Sequence, residues 1–173
     1  GASKGEGLGN KFLAHIREVD AVVHVVRCFQ DENITHVSGK IDPIGDIQTI
    51  NLELILADVD SIERRMERTR KQSKSGNKQF AAELDVLEKV KEALYNDQPA
   101  RHVELDEEER VLIRDLHLLT MKPVLFAANV SESEAAEKED NEYVKQVIAH
   151  AEQEGAEVIK ISAKVESEIA ELE

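Results

Sequence analysis

The spacing of apolar positions divides the chain into segments of two kinds. Phe12, Ile16 and Val19 recur at helical spacing and predict a helix over 11–19. Residues 21–29, Ala-Val-Val-His-Val-Val-Arg-Cys-Phe, form a short β-branched run with little alternation. That is the pattern of a strand buried on both faces of a parallel sheet. Turn signals at Ser38-Gly39 and Asp42-Pro43 make 30–45 a loop. From Asp46 to about Gln72 the period is helical, with Ile55, Val59, Ile62, Met66 and Thr69 at alternating spacings of four and three. Residues 73–77 break it, and Phe80, Leu84, Leu87, Val90 and Leu94 mark a second stripe that ends at 96–99. Neither stripe can be buried alone, so together they predict an antiparallel helical hairpin of coiled-coil type.

Asp106 with Glu109 three residues on has the form of a capping box and opens a helix through Leu116. Val124–Ala128 reads as a second buried strand. Tyr143, Val144, Val147, Ile148 and Ala151 mark a helix that Gly155 closes in a left-handed cap. Val158–Ile161 is a third strand, followed by Ser162-Ala163-Lys164 and an acidic helix. Alternation of this kind predicts an α/β fold, a parallel sheet with helices on its faces. The sheet portion comprises 1–45 and 118–173, and the hairpin, 46–117, is inserted between them. Three strands are few for a doubly wound domain, so the rest of the sheet is expected upstream of Gly1.

Composition leaves this fold unchanged but narrows the chemistry. The 36 acidic residues outnumber the 22 basic ones, for a net charge of −14. A surface of that sign repels DNA and anionic membranes. No apolar run approaches the roughly 20 residues of a membrane span, and no signal peptide is visible. The expectation is a cytoplasmic protein with neither membrane nor DNA as partner. The single cysteine, Cys28, lies in an apolar run and reads as a buried, inert thiol. His24 reads as a core histidine. The six histidines have no metal-ligand spacing, so no metal site is expected. The Gly5-Glu-Gly-Leu-Gly9 run lacks the preceding strand that a dinucleotide loop needs.

Charge does matter locally. Residues 61–80 hold Arg64, Arg65, Arg68, Arg70, Lys71, Lys74 and Lys78 against Glu63 and Glu67, a surplus of five positive charges on an acidic chain. Such a tip suits RNA phosphates, and the plain alternative is a solvated helical face. Only Phe80 interleaves the basic residues, so base stacking is not indicated. The strand ends carry the other candidates. In an open parallel sheet, ligands lie beyond the carboxyl ends of the strands. There the sequence places Asn129-Val130-Ser131-Glu132 and Ser162-Ala163-Lys164, either as helix caps or as ligand-facing groups.

Several of these segments resemble one family. Gly1-Ala-Ser-Lys-Gly-Glu-Gly-Leu-Gly-Asn-Lys-Phe-Leu is similar to the stretch after the second switch of the YchF, or Obg-like ATPase, family of P-loop proteins. Val25-Val-Arg-Cys-Phe, Asn33-Ile-Thr-His-Val-Ser-Gly, Asp42-Pro-Ile, Asn129-Val-Ser-Glu and Ile161-Ser-Ala-Lys continue the likeness along the chain. The resemblance implies part of a G domain with an inserted hairpin, and ATP or GTP with Mg2+ as ligand of the complete protein. It implies ribosome or RNA association as well. Base contacts would fall to Asn129, Val130, Glu132, Ser162, Ala163 and Lys164, with Val130 against the base face. Guanine-specific relatives carry NKxD at the first motif; Val130 and Glu132 here stand for its Lys and Asp, which implies loosened guanine preference. The GxxxxGK[ST] loop is absent from these residues, so no catalytic residue is expected here and nucleotide should bind at best weakly. The alternative is a non-catalytic helical module that binds protein or RNA.

Overall fold

The computed structural model describes residues 10–30 and 40–162. They form two compact units, one of residues 10–20 and 50–123 and the other of 21–30, 40–49 and 124–162.

The second unit is built on a three-stranded sheet. β1 (Val22–Arg27), β2 (Val124–Asn129) and β3 (Glu157–Ile161) are all parallel and lie in that order. α6 (Glu142–Glu154) covers one face through Val144, Val147 and Ala151, which pack with Val26, Phe126, Ala128 and Val130. Ile47, near the start of α2 (Pro43–Ser73), joins the same core. Gly155 ends α6 at φ 69°, the left-handed cap its position suggests.

Two expectations need correction. β1 is not buried on both faces: Val23 and Val25 are 56% and 55% exposed, and Ile159 of β3 is 45% exposed. Val25, Ala127 and Ile159 share a face by register. Among the described residues β1 and β3 are edges, and only central β2 buries consecutive residues, at Phe126, Ala127 and Ala128. The Asp42-Pro43 pair is not a loop turn but the start of α2. The Asp42 carboxylate accepts from Gly45 N at 3.0 Å, and proline suits the first helical position because its missing N–H has no intrahelical partner there. A β-carbon on Gly45 would come within 2.2 Å of that carboxylate.

The first unit is helical. α1 (Asn10–Glu18) clusters with it, its Arg17 carbonyl accepting from Lys122 Nζ at 3.2 Å. From α2, Ile55, Ile62 and Met66 meet Val86, Leu87, Val90 and Leu94 of α3 (Lys78–Tyr95) in one core. Asn77 caps α3 through Gln79 N. α4 (Glu107–Ile113) opens with the Asp106–Glu109 capping box, both reciprocal bonds formed, and passes into a 3-10 turn at Arg114–Leu116. Among the described residues no helix is long and apolar enough to cross a membrane.

Candidate functional site: the carboxyl edge of the sheet

The strands set the register of the candidate residues. Arg27, Asn129 and Ile161 lie side by side. The ladder continues past them, with Cys28 N donating to Asn129 O at 2.8 Å and Val130 N to Ile161 O at 2.9 Å. Asn129 is therefore half-buried at the end of the central strand, with Ser162 just beyond β3. Ser162 is 5% exposed, and its hydroxyl has no hydrogen-bond partner among the described residues. Glu132 is exposed at the first position of the short helix α5 (Glu132–Ala135). Asn129 and Ser162 thus lie at the ends of adjacent strands, and Glu132 follows at the start of α5. Val130 does not join them. It is 2% exposed and packs in the sheet–helix core, because alternation turns it to the α6 face. Ala163 and Lys164 lie outside the described residues.

A set of polar side chains that sequence reasoning missed supports this edge. Ser131 caps α5, and its hydroxyl donates to Glu134 Oε1 at 2.8 Å. The other Glu134 oxygen accepts from Asn141 Nδ2 at 2.6 Å. Asn141 Nδ2 also donates to the Cys28 carbonyl at 2.8 Å, while its Oδ1 accepts from Val144 N at 2.8 Å and caps α6. The Asn141 amide holds the Glu134 carboxyl below its ordinary value, with Ser131 adding to the effect. On the other side, Lys160 Nζ donates to Glu137 O at 2.9 Å and pairs with Asp140 at 3.1 Å. The capping role of Asn141 had a readable signal, an Asn just before a helical stripe. Its bond to Cys28, 113 residues away, had none.

The neighbouring reactive types are quiescent. Cys28 is fully buried and burial pushes its thiol up to about 12, so it is not nucleophilic at neutral pH. The His24 ring lies tilted against Phe126 with centroids 5.7 Å apart, and burial lowers its pKa to about 4.

The basic residues of the hairpin separate into two groups. Arg65 turns inward, with a 10% exposed side chain bonded to Glu83 at 2.9 Å and to Asp115. The others stay at the surface. Arg64 pairs with Asp60, Arg70 with Glu88 at 3.4 Å, and Lys71 with Glu67 at 3.7 Å. Lys74 and Lys78 are exposed around the turn between α2 and α3. Ser61, Arg64, Arg65, Arg68 and Leu116 line a cleft of about 380 Å3.

No family model matches the chain. Individual relatives do. The ribosome-binding ATPase YchF of Bacillus subtilis (strain 168) is 59% identical over 173 residues, which is 100% of this chain and 47% of the relative. Its counterpart in Escherichia coli O157:H7 is 50% identical over the same span. The solved YchF GTPase of Schizosaccharomyces pombe superposes with a TM-score of 0.82 at 38% identity, covering 94% of this chain and 45% of that one. The chain spans about half the length of the curated relatives it matches. From its first residue to its last, the chain is homologous to these YchF proteins.

Proposed function

We propose that this chain supplies the base-recognition part of a ribosome-associated nucleoside triphosphatase, with ATP or GTP and Mg2+ as the ligand of the complete protein. The observation that carries the reading is the placement of Asn129 and Ser162 at the ends of adjacent parallel strands, the Ser162 hydroxyl buried and unpartnered among the described residues. Buried hydroxyls normally find a partner, and a base edge outside the strand ends would provide one. Asn129 is assigned to the base edge, Glu132 to the neighbourhood of its exocyclic group, and Ala163 and Lys164 to its other side. Val130 acts from the core, by shaping the floor. With Val130 and Glu132 where guanine-specific proteins carry Lys and Asp, the site lacks the guanine-matched acceptor and accepts adenine. Residues 1–45 and 118–173 are the G-domain portion in this reading.

No residue in the chain is assigned to the phosphates, to Mg2+ or to the attacking water, because the phosphate-binding motif is not among these residues. The 173-residue polypeptide alone is expected to bind ATP or GTP no better than millimolar by calorimetry; micromolar affinity would contradict this. In a polypeptide of the relatives' full length that carries this sequence, Asn129→Ala should weaken nucleotide binding.

Residues 46–117 are read as an antiparallel coiled-coil contact arm. Its support is the exposed Arg68, Lys74 and Lys78, together with the arginine-lined cleft to which Arg68 contributes. The surface ion pairs of Arg64, Arg70 and Lys71 are worth little each, so RNA phosphates can displace them. Arg65 contributes charge to the cleft while its fork stays engaged. A ribosome partner places the protein in the cytoplasm. Charge reversal of Arg68, Arg70 and Lys74 should weaken ribosome co-sedimentation and flatten its salt dependence; unchanged binding rules out this arm.

A further inference from the structure

The loop 130–141 carries candidate base-reading groups yet has little to hold it. Within it only Val130 is buried, and α5 is a single turn of four residues. A segment with so few apolar contacts opens readily unless polar bonds fix it. Lys160 holds Glu137 and Asp140 in its second half, and the bonds that fix its first half converge on Asn141. Its Nδ2 donates to the carbonyl of Cys28 at the end of β1 and to Glu134 Oε2, while its Oδ1 holds the first turn of α6. Both N–H donors and one carbonyl lone pair of the amide are in use, so its orientation is fixed: a flip would set an NH2 group against Val144 N–H. Glu134 passes the constraint on, its second oxygen accepting from the Ser131 hydroxyl. Ser131 is the residue between Val130 and Glu132. The chain of bonds thus runs from the Cys28 carbonyl through Asn141 and Glu134 to Ser131.

We propose that Asn141 is a positioning residue for nucleotide selectivity, holding the 129–134 segment against the end of β1 through Glu134 and Ser131. The proposal rests on the reading of Asn129, Glu132 and Ser162 as base-binding groups. Asn141 itself touches no base. Its action is geometric, since edge recognition requires groups held within about 0.5 Å of the productive position.

Capping α6 is a separate duty, and substitutions separate the two. Asn141→Ser keeps a cap acceptor but is too short to bridge Cys28 and Glu134. Asn141→Asp keeps the cap and turns the bridging donor into an acceptor facing two acceptors. In a polypeptide of the relatives' full length carrying this sequence, both should raise KM for ATP about tenfold. They should also bring the kcat/KM ratio between ATP and GTP towards one, with kcat held within about twofold. Glu134→Ala should reproduce the effect. Glu134→Gln, which can still accept from Asn141 and bond Ser131, should restore most of the selectivity. Thermal melting of each variant tests whether the fold is intact. If Asn141→Ser shifts neither KM nor the ATP:GTP ratio while Asn129→Ala shifts both, Asn141 is only a helix cap and the proposal is overturned. A parallel loss of kcat and melting temperature without a change in selectivity overturns it too. If Asn129→Ala also leaves nucleotide affinity unchanged, the base-recognition reading itself fails and takes the proposal with it.

Discussion

Asp58 provides a direct test of how the helical unit is closed. It lies on α2, is 1% exposed, and carries no ion pair at hydrogen-bonding distance among the described bonds. Instead Oδ1 accepts from Leu119 N at 2.8 Å, and Oδ2 accepts from Thr120 N at 2.8 Å and from the Thr120 hydroxyl at 2.6 Å. That hydroxyl in turn accepts from Ala100 N at 2.9 Å. One carboxylate therefore ties α2 to a segment 61 and 62 residues further along the chain. Replacing it with alanine strands two buried backbone N–H groups and frees a hydroxyl. Each unsatisfied buried donor costs about 1–3 kcal/mol, so Asp58→Ala should lose about 3–5 kcal/mol. Against a typical stability of about 5–15 kcal/mol, that is a large share. Asp58→Asn keeps one acceptor and points an NH2 group at the remaining donors, so its loss should be intermediate, about 2 kcal/mol. Urea unfolding gives the total, and amide exchange at Leu119 and Thr120 reports the site itself. If Asp58→Ala loses less than about 1 kcal/mol and both amides stay as protected as before, the closing role assigned to this carboxylate is wrong.

Two further outcomes follow from buried charge. Burial, with the charge of His150 as the second cause, lowers His24 from 6.5 to about 4. The unfolded chain then binds more protons between those values, so stability is full above pH 6.5 and falls as pH drops towards 4, by about 3 kcal/mol in all. Urea midpoints across that range should fall less steeply for His24→Phe than for the parent chain; equal slopes would exclude His24 as the cause. Arg65 and Glu83 form a largely buried pair with side chains 10% and 12% exposed, and Thr69 also bonds Glu83. Arg65→Ala leaves that carboxylate without its cation and should cost about 3 kcal/mol. The double change Arg65→Met with Glu83→Leu should lose less than Arg65→Ala alone, and additive losses in a double-mutant cycle would refute the coupling.

Much of the fold was readable because its causes are local. The stripe Ile55, Val59, Ile62, Met66 and Thr69 needed only a period, and the structure buries four of the five. The Asp106–Glu109 capping box and the Gly155 cap involve groups within a few residues of each other, so the sequence alone specifies them. Three short strand-like runs separated by helical patterns were enough for a parallel sheet, although not for which residues lie at its edges. Val23 and Val25 look like core from composition, yet their exposure depends on strand order and on which face α6 covers.

At the candidate site the division is the same. Asn129, Glu132 and Ser162 could be nominated from their places after predicted strands, and the parallel register sets Asn129 beside Ile161, the neighbour of Ser162. The sequence by itself determined the long helices, the strands, the Asp106–Glu109 and Gly155 caps and the family likeness, because periodicity and capping act over one or two helical turns. Only the tertiary structure decided that Val130 points into the core, that Arg65 turns inward to Glu83, and that Asn141 reaches Cys28. Those outcomes depend on chain closure over tens of residues, where a buried polar group takes whichever partner the packed elements bring within about 3 Å.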